Sequence, residues 1–469
     1  MKPAILDGRF AAALVWRPFR RGLTIMMAVI ITVSMQGAEA DMLARWVQRR
    51  LAERGIFYGW IVVAAAFLVS VSTAGVMGLP GALMLPLERE FGWSASDVSG
   101  ALAVRILLYG LMAPFSAALM ERFGLKRVIL AAVVTIGTML LLAMGMTRYW
   151  QMAAIFGVGI GVGTGLTALV MSAIISTRWF TARRGLVIGM LTASNATGQL
   201  AFLPLAAWLE SHYGWRMALV PSLIALGLAA VVAMLFLVER PADIGLAPYG
   251  ETKMTPPPAN KPTLGMAIRI LREVAPNPVF WILASTFFVC GLSTNGLVQT
   301  HFISLCADNG VSTITAASML ALIGFCDFFG TVGSGWLSDR YDNRALLFVY
   351  YGLRGLSLLY LPSSGYSIIA LSGFSVFYGL DWVATVPPTA RLSAEAFGRE
   401  RTGVAFGWIF ASHMVGGAFA AFLGGFSRTV WHTYLPAFYL AGVTCLIAAL
   451  LVWLIDRRPA SARVLAPSH

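Results

Sequence analysis

Charged residues are scarce in this chain. Asp, Glu, Lys and Arg make up 12% of the 469 residues, whereas they make up about 25% of an ordinary soluble protein. Hydrophobic residues reach 58%, against about 45–50% in soluble chains. This composition excludes an ordinary soluble protein and indicates that lipid surrounds most of the chain.

Cysteine is rare as well, and no CxxC pair occurs. The four cysteines lie in or at the ends of apolar runs, at Cys290, Cys306, Cys326 and Cys445. This excludes a disulfide framework and predicts small apolar residues without a metal site. No Ser-His-Asp order or paired-carboxylate pattern indicates catalysis, so we expect neither an enzyme nor a bound cofactor.

A glycine-rich stretch, GVGIGVGTGL (157–166), resembles a phosphate loop only superficially. It lacks the Gly-Lys-Ser/Thr ending and a flanking strand, so no ATP-binding motif is present. Gly157, Gly161 and Gly165 fall on one helical face and predict close packing against another helix.

Twelve mostly apolar runs are long enough to span a bilayer as helices, which takes about 20 residues. The first six predicted spans are 58–80, 98–119, 128–147, 151–174, 185–208 and 217–238. The second six are 279–303, 314–337, 345–361, 367–389, 403–425 and 434–455. We therefore predict an all-α membrane protein with twelve transmembrane helices.

The basic residues test this layout, because Lys and Arg near span ends stay on the cytoplasmic side. The net charge is +13, and with the N-terminus inside, 28 of the 34 basic residues fall on the cytoplasmic face and four on the outer face. The excess of positive charge therefore reflects membrane topology and not a nucleic-acid-binding surface. Both termini are expected in the cytoplasm, with the chain in the inner (plasma) membrane.

The chain divides into two similar halves. Residues 239–278 hold eight of the 21 prolines, so this stretch is expected not to propagate helix and to act as a cytoplasmic linker. ERFGLKR (121–127) after span two is matched by DRYDNR (339–344) after span eight. We predict a segment at 1–56, six-helix bundles at 57–238 and 279–456, and a cytoplasmic tail at 457–469, a pseudo-repeat typical of transporters.

These loops resemble a motif of the major facilitator superfamily, and the resemblance covers nearly the whole chain after about Gly55. The first copy has Ala117 and Leu125 where a glycine and a basic residue are usual, and the second has Asp342 in place of the later glycine. In the family such loops latch helices together at the cytoplasmic face. The resemblance thus implies the major facilitator fold, with a gating role for Glu121, Arg122, Asp339 and Arg340.

Within the superfamily, WFTARRGLVIGMLTASNATG (179–198) is similar to the span-five signature of monocarboxylate transporter-like proteins, a branch related to oxalate/formate antiporters. FYGWIVV (57–63) partly matches their span-one signature. Asp327 stands where those proteins keep an acidic residue, whereas Thr331 replaces their arginine four residues on. The span-five glycine-proline motif of drug/proton antiporters is absent, which disfavours drug export.

Four charged residues fall inside the predicted spans, where a charge costs about 2.5–3.5 kcal/mol and usually pairs or lines a cavity. These residues are Arg105, Asp327, Arg354 and Asp381. Arg105 or Arg354 is predicted to bind a substrate carboxylate, and Asp327 or Asp381 to take up a coupling proton. The alternative for Arg354 is an Asp–Arg pair joining spans eight to ten, and for Arg105 a side chain that snorkels to the outer interface.

Uncharged polar residues add candidates for a substrate cavity. Asn295, Gln299 and His301 form a polar face in span seven, and His413 lies in span eleven. Either histidine is able to carry a proton near neutral pH, although an interhelical hydrogen bond is the simpler role. Asn195 in span five is a weaker candidate of the same kind.

A thirteenth apolar stretch, residues 22–37, follows Arg17, Arg20 and Arg21. It resembles a secretory signal peptide, but cleavage would invert the charge layout. We favour translation starting at Met42, with an interfacial helix as the third possibility.

Together these features predict a secondary transporter that moves a small organic anion, a monocarboxylate in the first place, by alternating access with proton symport. The alternatives are an organic-anion exchanger, an exporter of small neutral compounds, and a non-transporting membrane sensor. The expected partners are the substrate, protons and the lipid bilayer, with a monomeric chain and no nucleic acid. The sequence leaves open the substrate, the direction of transport and the coupling ion.

Overall fold

The computed structural model describes residues 37–167, 169–183, 186–191, 194, 198, 202–254 and 264–455. The first group of helices is α1 Gly37–Ala52, α2 Gly59–Phe91, α3 Ala95–Phe123, α4 Leu125–Ala143, α5 Tyr149–Met152, α6 Gly161–Leu166, α7 Leu169–Trp179, α8 Leu203–Tyr213, α9 Trp215–Ala218 and α10 Val220–Phe236. The second group is α11 Leu264–Val274, α12 Pro278–Gly291, α13 Gln299–Asp308, α14 Thr313–Ser338, α15 Asn343–Tyr360, α16 Ile368–Asp381, α17 Val386–Phe397, α18 Arg399–Trp431 and α19 Leu435–Leu451. Two π-helical segments, Ala153–Ile160 and Leu292–Val298, join α5 to α6 and α12 to α13.

Ten helical segments of the described residues are long and apolar enough to cross a membrane. They correspond to the predicted spans one to three, six and seven to twelve. The predicted spans four and five contain positions outside the described residues. The almost entirely helical architecture confirms the predicted fold class.

Polar side chains fix where several spans begin. Ser94 and Asp97 form a reciprocal capping box before α3, with Asp97 N to Ser94 Oγ at 3.1 Å and Ser94 N to Asp97 Oδ2 at 3.0 Å. At the start of α14, Ser312 Oγ accepts from Thr315 N at 3.1 Å. At the start of α15, Asp342 Oδ1 accepts from Arg344 N at 3.0 Å. Each cap satisfies a backbone N–H that the helix itself leaves without an acceptor.

The first span is longer than predicted. Its helix α2 runs from Gly59 to Phe91 through Pro80 and Pro86 and ends at Gly92, which has φ +68°. The predicted end at position 80 coincides with the first of these prolines. Neighbouring helices satisfy the carbonyls that a proline frees, so transmembrane helices tolerate it.

The linker also differs from the prediction. Residues 264–274 form helix α11, so the expectation that residues 239–278 cannot propagate helix is wrong for this part. The prolines of the linker stand at 241, 248, 256–258, 262, 276 and 278, and the stretch between 262 and 276 is free of them. Trp408 Nε1 donates to Ala267 O at 3.0 Å, which ties α11 to α18.

In the part of the chain that the structure describes, buried apolar residues form three clusters. The first takes its members only from positions 44–244. The other two combine residues from α11–α19 with a few residues of the first part of the chain, such as Ala82 in one and Met77 and Ile106 in the other. Large apolar side chains, for example Ile369 at 86% exposure, cover the outer surface. A surface of this kind suits a lipid environment.

Candidate functional site

The glycine face of the fourth predicted span packs on α3. A Cβ on Gly157, Gly161 or Gly165 would come within 3.1, 2.9 and 3.0 Å of the backbone oxygens of Ala101, Arg105 and Tyr109. The three glycines and the three residues that they contact are each spaced four residues apart, which is about one helical turn. The packing interpretation of this motif is confirmed, and the contact fixes the stretch of α3 that carries Arg105.

Arg105 is buried inside the bundle, with 2% of its surface exposed. Its Nη1 donates to the carbonyl oxygens of Met77 at 2.9 Å and Val76 at 3.5 Å on α2. Among the described residues no carboxylate pairs with the guanidinium and no acceptor faces its Nε. The side chain therefore does not snorkel to the surface, and it keeps an uncompensated positive charge in the interior.

A chain of side-chain hydrogen bonds links spans seven and eleven. His413 Nε2 lies 3.0 Å from Asn295 Oδ1, and Asn295 Nδ2 donates to Gln299 Oε1 at 2.6 Å. Since an amide oxygen only accepts, His413 carries its proton on Nε2 in this arrangement. The π-helical segment Leu292–Val298 presents Asn295, and such segments are frequent at functional sites.

The Arg105 guanidinium and this polar chain lie at neighbouring levels of the interface between the first and second parts of the chain. A Cβ on Gly81 of α2 would lie 2.8 Å from Gln299 O, and Gly81 is one turn, about 6 Å, beyond Met77. Tyr109, one turn after Arg105, makes an edge contact with Phe410 at 6.0 Å between ring centroids. A buried cation and a set of neutral hydrogen-bonding groups thus lie on helices that contact each other where the two parts join.

Arg354 has a different environment. Its Nε donates to Asp381 Oδ2 at 2.6 Å, and its Nη2 donates to Asp381 O at 2.5 Å and Trp382 O at 3.2 Å. Its Nη1 donates to Cys290 Sγ at 2.8 Å. The geometry matches the helix-joining alternative for Arg354, and Cys290 is not the merely apolar residue that the sequence predicted.

Asp327 lies next to this pair but is held by neutral donors. Its Oδ1 accepts from Thr331 Oγ1 and from Val383 N, both at 2.9 Å. Val383 belongs to the turn between α16 and α17, directly after Asp381 and Trp382. Asp327 therefore lies close to the Arg354–Asp381 pair but forms no ion pair itself within the described part of the chain.

His301 lies apart from the polar chain. The ring is fully buried, its Nε2 lies 2.7 Å from Ala421 O on α18, and its centroid is 5.1 Å from that of Tyr434. This is the interhelical hydrogen bond that the simpler interpretation predicted. Asn195 lies outside the described residues.

The sequence and the fold agree with those of known proteins. The sequence profile of the Major Facilitator Superfamily matches residues 65–389 and 295–468. The chain belongs to the Major Facilitator Superfamily. Monocarboxylate transporter 13 of Rattus norvegicus is 28% identical over 82% of this chain and 86% of its own length. The uncharacterised MFS-type transporter YcxA of Bacillus subtilis (strain 168) is 25% identical over 80% and 90%.

Solved structures show the same fold. The crystal structure of a D-xylose-proton symporter superposes with a TM-score of 0.65 at 17% identity, over 84% of this chain and 97% of that one. As a member of the superfamily the chain is a multi-pass membrane transporter of the monocarboxylate transporter-like kind, and the relatives named above are transporters.

The predicted gating residues of this superfamily member show unequal contacts. Asp339 forms an ion pair with Arg391 in the middle of α17. Arg340, which follows the end of α14, lies over the Trp336 ring of that helix, with 4.2 Å between Cζ and the ring centroid. Arg122 lies over Phe123 at 5.3 Å. The side chain of Glu121 lies outside the described residues.

The sequence analysis did not predict two sets of ionic contacts. Glu239 accepts from Leu125 N at 2.7 Å and Lys126 N at 2.9 Å and pairs with Arg178 at 3.3 Å, which anchors the loop after α3. At the opposite end of α3, Arg428 joins Glu88 to Asp308. All these residues stand at the ends of apolar runs, and a search for opposite charges at span ends would have found them.

Proposed function

We propose that this protein is a secondary active transporter of small monocarboxylate anions, which it moves by alternating access of two six-helix halves in symport with protons. The halves are the bundles at 57–238 and 279–456, joined by the linker 239–278. The chain works as a monomer in the inner (plasma) membrane with both termini, including the tail 457–469, in the cytoplasm.

The buried guanidinium of Arg105 supports this proposal most directly. A cation inside a membrane protein normally has a carboxylate partner, and Arg354 has one. Arg105 instead holds two backbone carbonyls and a free Nε–H among the described residues. The planar fork of an arginine matches a carboxylate, so an incoming organic anion would supply the missing charge.

The hydrogen-bonded side chains of spans seven and eleven suit the part of a small substrate that lies beyond its carboxylate. Asn295, Gln299 and His413 offer neutral donors and acceptors, whereas a second carboxylate would need a second unpaired cation. A monocarboxylate therefore fits this site better than a dicarboxylate. The relatives named monocarboxylate transporters point to the same class.

Asp327 and Asp381 support proton coupling. They share one nearby cation, Arg354, which pairs directly with Asp381. A buried carboxylate with neutral donors alone is costly in its charged form, so Asp327 is the group from which we expect proton uptake and release. We therefore expect the proton site in spans eight to ten, beside the span-seven segment that carries Asn295.

Uptake into proteoliposomes tests the function. Labelled mono- and dicarboxylates are offered with and without an inward proton gradient, and we expect monocarboxylate uptake that the gradient stimulates. Arg105→Gln should lower uptake roughly ten- to hundredfold, since a hydrogen bond to a charged group contributes about 1.5–3 kcal/mol. Arg105→Lys should keep part of it, and Arg148→Gln, which removes an exposed arginine, should leave it unchanged.

The other functions give different results in the same assay. Stimulation by internal anion alone would favour an organic-anion exchanger. Saturable movement of neutral compounds, without a response to any carboxylate, would favour an exporter. Binding of a ligand without any transport would favour a membrane sensor, and normal uptake by Arg105→Gln would refute the proposed anion site.

A further inference from the structure

The thiol of Cys290 lies between two parts of the candidate site that have no direct contact so far. Its Sγ accepts a hydrogen bond from Arg354 Nη1 at 2.8 Å and lies 3.3 Å from Thr385 Oγ1 at the start of α17. It also lies within hydrogen-bonding reach of the His413 ring on α18. Cys290 therefore contacts both the ion pair of Arg354 and the hydrogen-bonded side chains of spans seven and eleven.

A tight crossing of α12 and α18 fixes the position of the thiol. A Cβ on Gly291, the residue after Cys290, would overlap with His413 O. The His413 ring packs against Phe287 and Phe410, whose ring centroids are 4.7 and 5.8 Å from its own. The backbones hold Cys290 and His413 at the same level, and the two phenyl rings fix the orientation of the imidazole.

The donors and acceptors along this path run in one direction. A guanidinium only donates, and the Thr385 hydroxyl has its own proton to donate, so Cys290 Sγ is able to accept from both and its S–H proton stays available. His413 carries its proton on Nε2, which faces Asn295 Oδ1 at 3.0 Å, so its Nδ1 is an acceptor. His413 is only 6% exposed, and Nδ1 has no other hydrogen-bond partner in the described part of the chain. The Cys290 thiol is thus the donor that Nδ1 requires.

The other titratable side chains around the thiol have contacts of their own. They are Asp327, Asp381, Tyr351, Tyr378 and Cys445. Asp381 binds Nε of Arg354 and not Nη1, and Tyr351 lies against the guanidinium with 5.7 Å between Cζ and the ring centroid. Tyr378 Oη donates to Ser293 O at 2.8 Å, and Cys445 lies beside the same serine. The path from Arg354 to His413 therefore runs through Cys290.

We propose that Cys290 is a positioning residue that couples the proposed proton site to the proposed anion site, an inference that rests on the proposed function. When Asp327 takes up a proton, a negative charge beside Arg354 disappears, so the guanidinium is offset less. Hydrogen bonds in a chain polarise one another, so a stronger donor at Arg354 strengthens donation from Cys290 to His413 and from His413 to Asn295. The change in charge and the stronger hydrogen bonds both favour a nearby anion, so proton uptake promotes substrate binding.

Solid-state NMR of the histidine nitrogens tests the hydrogen bond without any transport. The chain has five histidines, so isotope labelling of this residue type gives few signals, and His413→Gln identifies those of His413. We expect a protonated Nε2 and a hydrogen-bonded, unprotonated Nδ1 in the wild type and in Cys290→Ser, whose hydroxyl also donates. In Cys290→Ala the Nδ1 signal should shift to that of a nitrogen without a hydrogen bond. An identical Nδ1 signal in the wild type and Cys290→Ala would overturn the inference.

Uptake of labelled pyruvate into proteoliposomes tests the coupling. In Cys290→Ala we expect the stimulation by an inward proton gradient to fall roughly two- to tenfold, the range that one neutral hydrogen bond supplies. Exchange of internal for external pyruvate without a gradient should continue. Cys290→Ser should recover the stimulation, and Cys306→Ala, which removes another buried thiol of span seven, should keep it.

Three results of the uptake assay would overturn the coupling role. The first is full stimulation in Cys290→Ala, and the second is an equal loss of exchange and of gradient-driven uptake in that variant. The third is a Cys290→Ser variant as impaired as Cys290→Ala, because the effect would then follow the packing of the sulfur and not the donated proton. A wild type that takes up no monocarboxylate would instead refute the proposed function, and the NMR signals would still decide whether Cys290 donates to His413.

Discussion

At the scale of single residues, the two arginines inside the membrane differ in what surrounds them. Arg354 is enclosed by Asp381, Cys290 and two carbonyl oxygens, whereas Arg105 meets only carbonyl oxygens of α2 among the described residues. A compensated charge stabilises the bundle, whereas an uncompensated one is available to pair with a ligand. The same residue type therefore serves structure in one span and, as proposed, substrate binding in another.

We expect Arg354→Leu to destabilise the protein strongly. The change leaves Asp381 buried without its cation, and breaking one side of a buried pair costs about 3–5 kcal/mol. Replacing both partners, as in Arg354→Leu with Asp381→Leu, removes both charges and should recover most of the loss. Thermal unfolding in detergent measures this as a lower Tm for the single variant only.

An unchanged Tm in Arg354→Leu would show that the pair is not structural. If the double variant instead unfolds as early as the single one, the loss comes from packing around the guanidinium and not from the stranded carboxylate.

The sequence could place these groups at similar depth but could not assign partners. Depth follows from counting residues along each span, so Arg354 and Asp381 were expected to meet. Whether Asp327 or Asp381 pairs with Arg354 depends on the turn after α16. In that turn Val383 N donates a hydrogen bond to Asp327 Oδ1. That turn interrupts an apolar run and carries no composition signal of its own.

At the scale of helices, close contact between the fourth span and α3 positions the candidate site. The glycines let α3 approach along three turns, and Arg105 lies at the middle contact. The helix-face pattern predicted that these glycines pack, since it needs only the 3.6-residue period. Which helix they meet depends on tertiary structure, which periodicity does not contain.

Gly161→Ala tests this contact. The new Cβ would lie 2.9 Å from Arg105 O and 3.0 Å from Arg105 Cα, and backbone atoms cannot move aside as a side-chain end can. Overpacking of this kind costs about 1–3 kcal/mol, so we expect a lower Tm together with reduced uptake. Gly227→Ala, in open space on α10, should leave both unchanged or raise Tm slightly.

Reduced uptake with an unchanged Tm would mean that the methyl group disturbs Arg105 without straining the bundle. Full activity with an unchanged Tm would show that the fourth span does not position α3.

At the scale of the whole molecule, the apolar runs predicted the spans well and the connections poorly. Length and hydropathy suffice to find a helix in lipid, because the backbone N–H and C=O groups there have to form their hydrogen bonds within the helix. They do not reveal that α2 continues through two prolines or that the linker holds α11. Both depend on neighbouring helices, as does the ionic cluster at the end of α2.

The contact between α3 and α18 gives a direct test of alternating access. Ser96 N donates to Thr429 Oγ1 at 3.0 Å across the two halves, so cysteines at these positions can be joined by oxidation or by a short bifunctional thiol reagent. Alternating access requires this end to open in every cycle. We therefore expect cross-linked Ser96→Cys/Thr429→Cys protein to lose uptake and to recover it after reduction.

A pair within one half controls for the chemistry. Glu90 Oε1 and Arg216 Nη1 lie 2.7 Å apart, and both residues belong to the first half. Cross-linking Glu90→Cys/Arg216→Cys therefore leaves the halves free to separate and should preserve uptake. Because the native cysteines are buried, the introduced thiols are the ones the reagent reaches. Full uptake by the cross-linked 96/429 pair would mean that substrate passes without separation of α3 from α18, and alternating access at this end would have to be abandoned.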